Sequence, residues 1–146
     1  MARTASLRTH PPALTPIEPQ TFAREADRER LSEVAIKAFL NLAKAWGLSN
    51  AESAGLLGVS ASSLDRIKRG YRPELSQDQL TRVSALVGVY KGLHLLFADG
   101  TADEWIRRAN RGAVFDRLTP IEAMIEGGIP RMLEVRRYVD AVRGGL

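Results

Sequence analysis

The sequence contains no cysteine in 146 residues, so disulfides and thiolate metal sites are excluded and a reducing cytoplasm is the expected setting. It has only two histidines. His10 falls among prolines, and His94 falls on the expected inner side of a helix, where it reads as a partly buried residue and not as a base. Glu122 and Glu126 stand four apart on one helix, but no further metal-ligand type accompanies them, so they read as solvated acids. No segment alternates as a strand does, and a glycine-rich phosphate loop after a strand is therefore missing as well. No apolar run approaches the roughly 20 residues that span a bilayer. The opening MARTASLRTHPPALTPIEP lacks the continuous apolar core of a secretory signal. Together these absences predict a protein that is not an enzyme, holds no cofactor or metal, and does not enter the membrane.

What is present is helical. Residues 1–21 carry Pro11, Pro12, Pro16 and Pro19 and are expected to form a flexible arm, with Arg3 and Arg8 free to touch DNA phosphates. From Phe22 onward, apolar residues recur at three- and four-residue spacing. Val34, Ala35, Ala38, Phe39, Leu42, Ala43 and Trp46 predict one inward face that ends at Gly47. Ser49 or Asn50 caps a short helix that Gly58 stops, and Ser60 caps the next, which runs through Lys68 to Gly70. A long helix from about Ser76 to Phe97 opens on a Ser76/Gln79 capping box. Asp99-Gly100 is expected to break the chain, with Thr101 capping a short helix around Trp105. Thr119-Pro120 then opens a helix stopped by Gly127-Gly128. A last helix from about Pro130 to Arg143 turns Met132, Leu133, Val135, Tyr138, Val139 and Val142 inward. The fold class expected is all-α. The expected division is an arm (1–21), a helix-turn-helix domain (22–75), a connecting or dimerisation helix (76–98) and a small helical domain (99–146).

The stretch GLLGVSASSLDRIKRG (55–70) predicts a helix-turn-helix. Ala54, Leu57, Val59, Leu64 and Ile67 would lock its two helices, and the opposite face of the second then carries Ser62, Ser63, Arg66 and Arg69. In such a motif the N-terminal part of that helix reads base edges. Ser60, Ser62 and Ser63 are short donors and acceptors, and Arg66 is long enough to reach a guanine with both arms. Lys68, Arg69 and Arg72 suit phosphates, which position without specifying. Asp65 either accepts from a cytosine amino group or pairs with Arg69 four residues on. The net charge of +4 lies wholly before Asp99, because the chain from there on has eight cations and eight acids. The two halves are therefore expected to meet different partners.

The second half, WIRRANRGAVFDRLTPIEAMIEGGIPRMLEVRRYVDAVRGG, resembles the toxin-binding domain of the Xre/MbcA/ParS antitoxins. The resembling positions are Trp105, Asn110, Phe115, Leu118-Thr119-Pro120, Met124-Ile125, Gly127 and Tyr138-Val139. The helix-turn-helix before it is the usual companion in that family. One departure is VFDRLTP, where the family commonly has glycine shortly before the Thr/Ser-Pro pair. The resemblance implies a type II antitoxin encoded beside a RES-type toxin that depletes NAD. It implies that the antitoxin blocks the toxin by direct contact, binds operator DNA of its own operon, and forms a homodimer. By the same analogy the C-terminal end lies near the toxin's pocket, which makes Arg136, Arg137, Arg143, Gly144, Gly145 and Leu146 the candidate toxin contacts. The alternative is a stand-alone transcription regulator whose second domain binds an effector or dimerises.

Overall fold

The computed structural model describes residues 22–144, which form six α-helices and, among the described residues, no strand. They are α1 (Glu25–Ala45), α2 (Asn50–Leu57), α3 (Ala61–Lys68), α4 (Gln77–Leu96), α5 (Asp99–Trp105) and α6 (Pro120–Gly144). The expected arm with Arg3 and Arg8, and the candidate contacts Gly145 and Leu146, lie outside the described residues. Ser49 and Ser76 each close a capping box, with Glu52 and Gln79 respectively. Thr119 and Glu122 exchange the same pair of bonds at the start of α6, at 3.1 and 3.3 Å.

The expected connecting helix, α4, is the centre of the packing and lies against α1, α2, α5 and α6. Its Leu80, Val83, Leu86, Val89 and Leu93 join Ile36 and Phe39 of α1, Trp46 at its C-terminal cap, and Met132, Val135 and Val139 of α6 in one continuous buried cluster. Each such side chain contributes about 1.5–3 kcal/mol on full burial, so α6 is part of what holds the first three helices in place. The buried Ser32 adds a polar tie, since its hydroxyl accepts the Leu75 N–H at 2.8 Å and anchors the approach to α4.

Three expectations are corrected. Val34 is 65% exposed, because the buried stripe of α1 is centred on Ile36, and two residues along a helix is about 200° around it. Val142 is exposed because every residue from Asp140 to Gly144 is, so α6 runs past the core it packs on. The break before α5 falls at the extended Phe97 and Ala98, not at Asp99-Gly100, and Thr101 is inside the helix. Asp99 favours the first turn of α5 as an acid at the positive end of the helix, and its carboxylate is held by His94.

His94 joins α4 to α5. Its Nδ1 lies 2.9 Å from Asp99 and its Nε2 2.8 Å from Asp103, and its ring packs on Tyr90 at 4.1 Å. Burial pulls the imidazole pKa down, but the two carboxylates outweigh it, and the net direction is up. The stabilisation is therefore complete below the unfolded value of about 6.5 and is lost as pH rises through the higher folded value. Thermal unfolding of the wild-type chain should fall in midpoint above about pH 6.5, and a His94→Gln variant should lose that dependence. An unaltered slope in the variant would remove His94 as its source.

α6 is two helical segments joined at Gly128, whose φ of 64° and ψ of −152° is a region open in practice only to glycine. A Cβ there would meet nothing closer than 3.9 Å, so the cost of Gly128→Ala is backbone strain alone. That variant is expected to lose at least about 1 kcal/mol in urea unfolding. No loss would mean that the two segments join without this kink.

Candidate nucleic-acid interface

Gly58, left-handed at φ 77°, closes α2, and Ser60 opens α3 by accepting the Ser63 N–H at 3.1 Å. Between them Gly58-Val59-Ser60 is the turn of a helix-turn-helix. Leu64 and Ile67 are buried, which fixes the rotation of α3 and leaves Ser62, Asp65, Arg66, Lys68 and Arg69 exposed. Ser60 also bonds Ser62 and Ser63 through its hydroxyl, at 3.2 and 2.9 Å. Ser63 is half-buried within this cap, so Ser62 is the more open of the two at the helix start.

The cations are distributed unequally. Arg66 lies over the ring of the exposed Tyr71, 5.9 Å from its centroid, and makes no ion pair among the described residues. Arg69 pairs with Asp65 at 3.1 Å, the second of the two roles open to Asp65. Lys68 Nζ donates to Asn50 Oδ1 at the start of α2. Arg72 turns back and donates to the carbonyls of Ile67 and Tyr71, at 2.9 and 3.0 Å, so it closes the end of α3. The exposed stripe Ser62, Arg66, Arg69 is thus presented together, and Arg72 is set apart as a cap. Tyr71 and Asn50 join the site without having been expected there. The only sign of Tyr71 in the sequence is an aromatic residue directly after the basic turn and Gly70.

Two arginines from outside hold this unit. Arg82 of α4 donates to the Gly55 and Leu56 carbonyls at 3.3 Å, and Gln79 donates to Gly58 O at 3.3 Å, so α4 grips the end of α2 and the turn. Arg107, beyond α5, donates to Trp46 O at 2.8 Å, Gly47 O at 2.6 Å and Glu52 Oε1 at 2.9 Å. Arg107 is the main cause of a lowered Glu52 pKa, which burial opposes and the Ser49 amide assists. This tie is therefore present above about pH 4.3 and is lost as pH falls through the lower folded value. Neither arginine is legible from spacing, since each acts across more than 20 residues of chain.

The other candidate residues are scattered. Arg136 is half-buried across α4, with Nη1 3.4 Å from Ser84 O and its guanidinium over Gly88. Arg137 is exposed, and Arg143 is exposed near Asp140 at 3.7 Å. Gly144 is the last residue of α6. Among the described residues one set of carboxylates converges, Glu25, Glu29 and Glu74; all three are exposed, and Arg28 lies 3.7 Å from Glu74. No helix among the described residues is long and apolar enough to cross a membrane.

A three-residue turn between two short, mutually locked helices, with one exposed polar and basic face, defines a protein of the helix-turn-helix class. Residues 25–88 match the family described as "Antitoxin Xre-like helix-turn-helix domain". Over 111 residues the chain is 33% identical to "Uncharacterized protein y4oB" of Sinorhizobium fredii (strain NBRC 101917 / NGR234), a match covering 75% of this chain and 84% of that protein. Residues 25–88 are thus an Xre-like helix-turn-helix domain of the antitoxin type, and the chain is a relative of that Sinorhizobium protein over three quarters of its length.

Proposed function

We propose that this protein is the antitoxin of a type II pair. In this reading it neutralises a RES-type, NAD-depleting toxin by direct contact through the part after Asp99. It represses its own operon through α3 as a homodimer in the cytoplasm. It works by contact alone, without catalysis or cofactor. The observation that carries the DNA half is the exposed Ser62–Arg66–Arg69 face of α3 on a rigid scaffold. The family matched by residues 25–88 supports an antitoxin, and with it a toxin partner.

The test is co-expression with the adjacent reading frame, scored by growth, NAD level and co-purification. Rescue with a stable complex is the expected result; no complex and no rescue would sink the reading. Deleting residues 99–146 is a poor test, because it strips Met132, Val135 and Val139 from α4. Deleting Arg143–Leu146 removes no described core residue, since Arg143 and Gly144 are exposed. That truncation should keep the wild-type melting temperature and operator affinity while weakening inhibition. Full rescue by it would take the tail out of the mechanism.

A further inference from the structure

The zero net charge after Asp99 conceals a local excess. Between residues 107 and 117 stand Arg107, Arg108, Arg111 and Arg117 against the single acid Asp116. Arg107 is committed to Glu52, and Arg108 to Glu104 at 2.9 Å. The guanidinium groups of Arg111 and Arg117 have no ion pair or hydrogen bond among the described residues. Both line a cleft of about 720 Å³ with Ala109 and Asn110. Asn110 Oδ1 accepts the Gly112 N–H at 3.0 Å, and its NH2 group has no hydrogen-bond partner among the described residues. The charged groups lining the cleft are both cations, and no carboxylate lines it. Asp116 does not neutralise it, because it lines a separate cavity of about 170 Å³ with Glu126 and Arg131.

We propose that the cleft between Arg111 and Arg117 receives a carboxylate side chain of a protein partner. Its walls are preorganised. Asn110 exchanges backbone bonds with Arg117 and Leu118 at 2.9 and 3.1 Å. Phe115 is buried edge-on between Trp105 and Tyr138, at 5.6 and 5.2 Å, and Arg131 donates to Val114 O. Asp116 and Arg117 both hold positive φ, 46° and 69°, where a glycine would be less strained. Strain of this kind at a residue whose side chain makes no hydrogen bond or ion pair among the described residues belongs with an external role. Two planar guanidinium forks suit the two oxygens of a carboxylate. The cleft is concave and lies outside the residues matched as helix-turn-helix, which favours a protruding acidic side chain over DNA phosphates, for which the exposed face of α3 is the candidate. Only the naming of the partner as the toxin rests on the antitoxin reading.

The experiment has two arms. In the first, the isotopically labelled full chain is titrated with acetyl-tetraglutamate amide at low salt, and the arginine Nε–H signals are followed. Saturable shifts are expected at Arg111 and Arg117, with affinity at least about tenfold weaker in the R111A/R117A double variant. Arg117→Gly relieves the backbone, so it should keep or raise the melting temperature while binding as weakly as Arg117→Ala. Shifts confined to Arg66 and Arg69, or full binding by Arg117→Gly, would overturn the proposal. In the second arm, the double variant should lose at least about tenfold in affinity for the purified toxin, with operator affinity unchanged. Unchanged toxin affinity would overturn it. So would a fall of about two in the salt slope of operator binding, which would assign the cleft to DNA phosphates. Failure of the wild-type chain to bind the toxin would count against the antitoxin reading alone, and the first arm would still decide this one.

Discussion

Trp46→Ala should lower the free energy of unfolding by about 3–5 kcal/mol, the range for a buried aromatic cut back to a methyl group. Trp46 is 2% exposed and caps the end of α1, with its ring 6.3 Å from that of Tyr90 on α4. Its carbonyl is the one that Arg107 grips at 2.8 Å, so the residue stands where α1, α4 and the segment after α5 converge. Removing the indole opens a void at that junction, and the arginine tie keeps the surrounding backbone from closing it. Its Nε1–H is buried without a hydrogen-bond partner. An orphaned donor costs about 1–3 kcal/mol, so Trp46→Phe should lose much less than Trp46→Ala. Urea unfolding of the three chains checks both statements. A loss under about 1 kcal/mol for alanine would contradict the role given to this side chain.

Arg66→Ala should cost about 1–3 kcal/mol in operator affinity and relax base preference at one position. Arg66 has no carboxylate partner among the described residues, and Tyr71 supports its guanidinium from one side. Lys68→Ala, by contrast, should weaken all sequences alike and lower the salt slope by about one. Lys68 already has a neutral partner in Asn50, which holds the ammonium at the start of α2 without cancelling its charge. Anisotropy titrations of both variants on the operator and on a scrambled duplex, at two salt concentrations, separate the two effects. Wild-type affinity in both variants would place the DNA face elsewhere.

Features set by neighbours along the chain were legible in the sequence. The Ser49, Ser60, Ser76 and Thr119 caps, the Gly47 and Gly58 stops and the burial of Leu64 and Ile67 each depend on residues within a turn or two. Both failures of the predicted inner faces, Val34 and Val142, concern apolar residues at plausible spacing whose exposure depends on what lies opposite. The centrality of α4 was not legible either, because its apolar residues serve two sides at once and blur any single stripe. Arg82, Arg107 and Arg136 look like surface charges in the sequence and become structural only when a distant carbonyl arrives to meet them. For the DNA face, residue types sufficed to find α3, while the division of labour among its cations required Asn50, Asp65, Tyr71 and two carbonyls.

α4 meets α6 through two glycines. A Cβ at Gly88 would sit 2.5 Å from the Arg136 guanidinium, and one at Gly92 would sit 2.6 Å from a Val139 methyl. Each half of the molecule therefore carries the mould of the other. A chimera joined at Ala98, taking its DNA reader from one relative and its partner-binding half from another, would separate glycines from the side chains that fill them. A crossover placed ahead of Ser76 would carry α4 and α6 across together but would part α4 from α1 and α2, against which it also packs. Exchange of partner specificity between relatives should therefore fail at Ala98, although that is where the chain looks most easily cut.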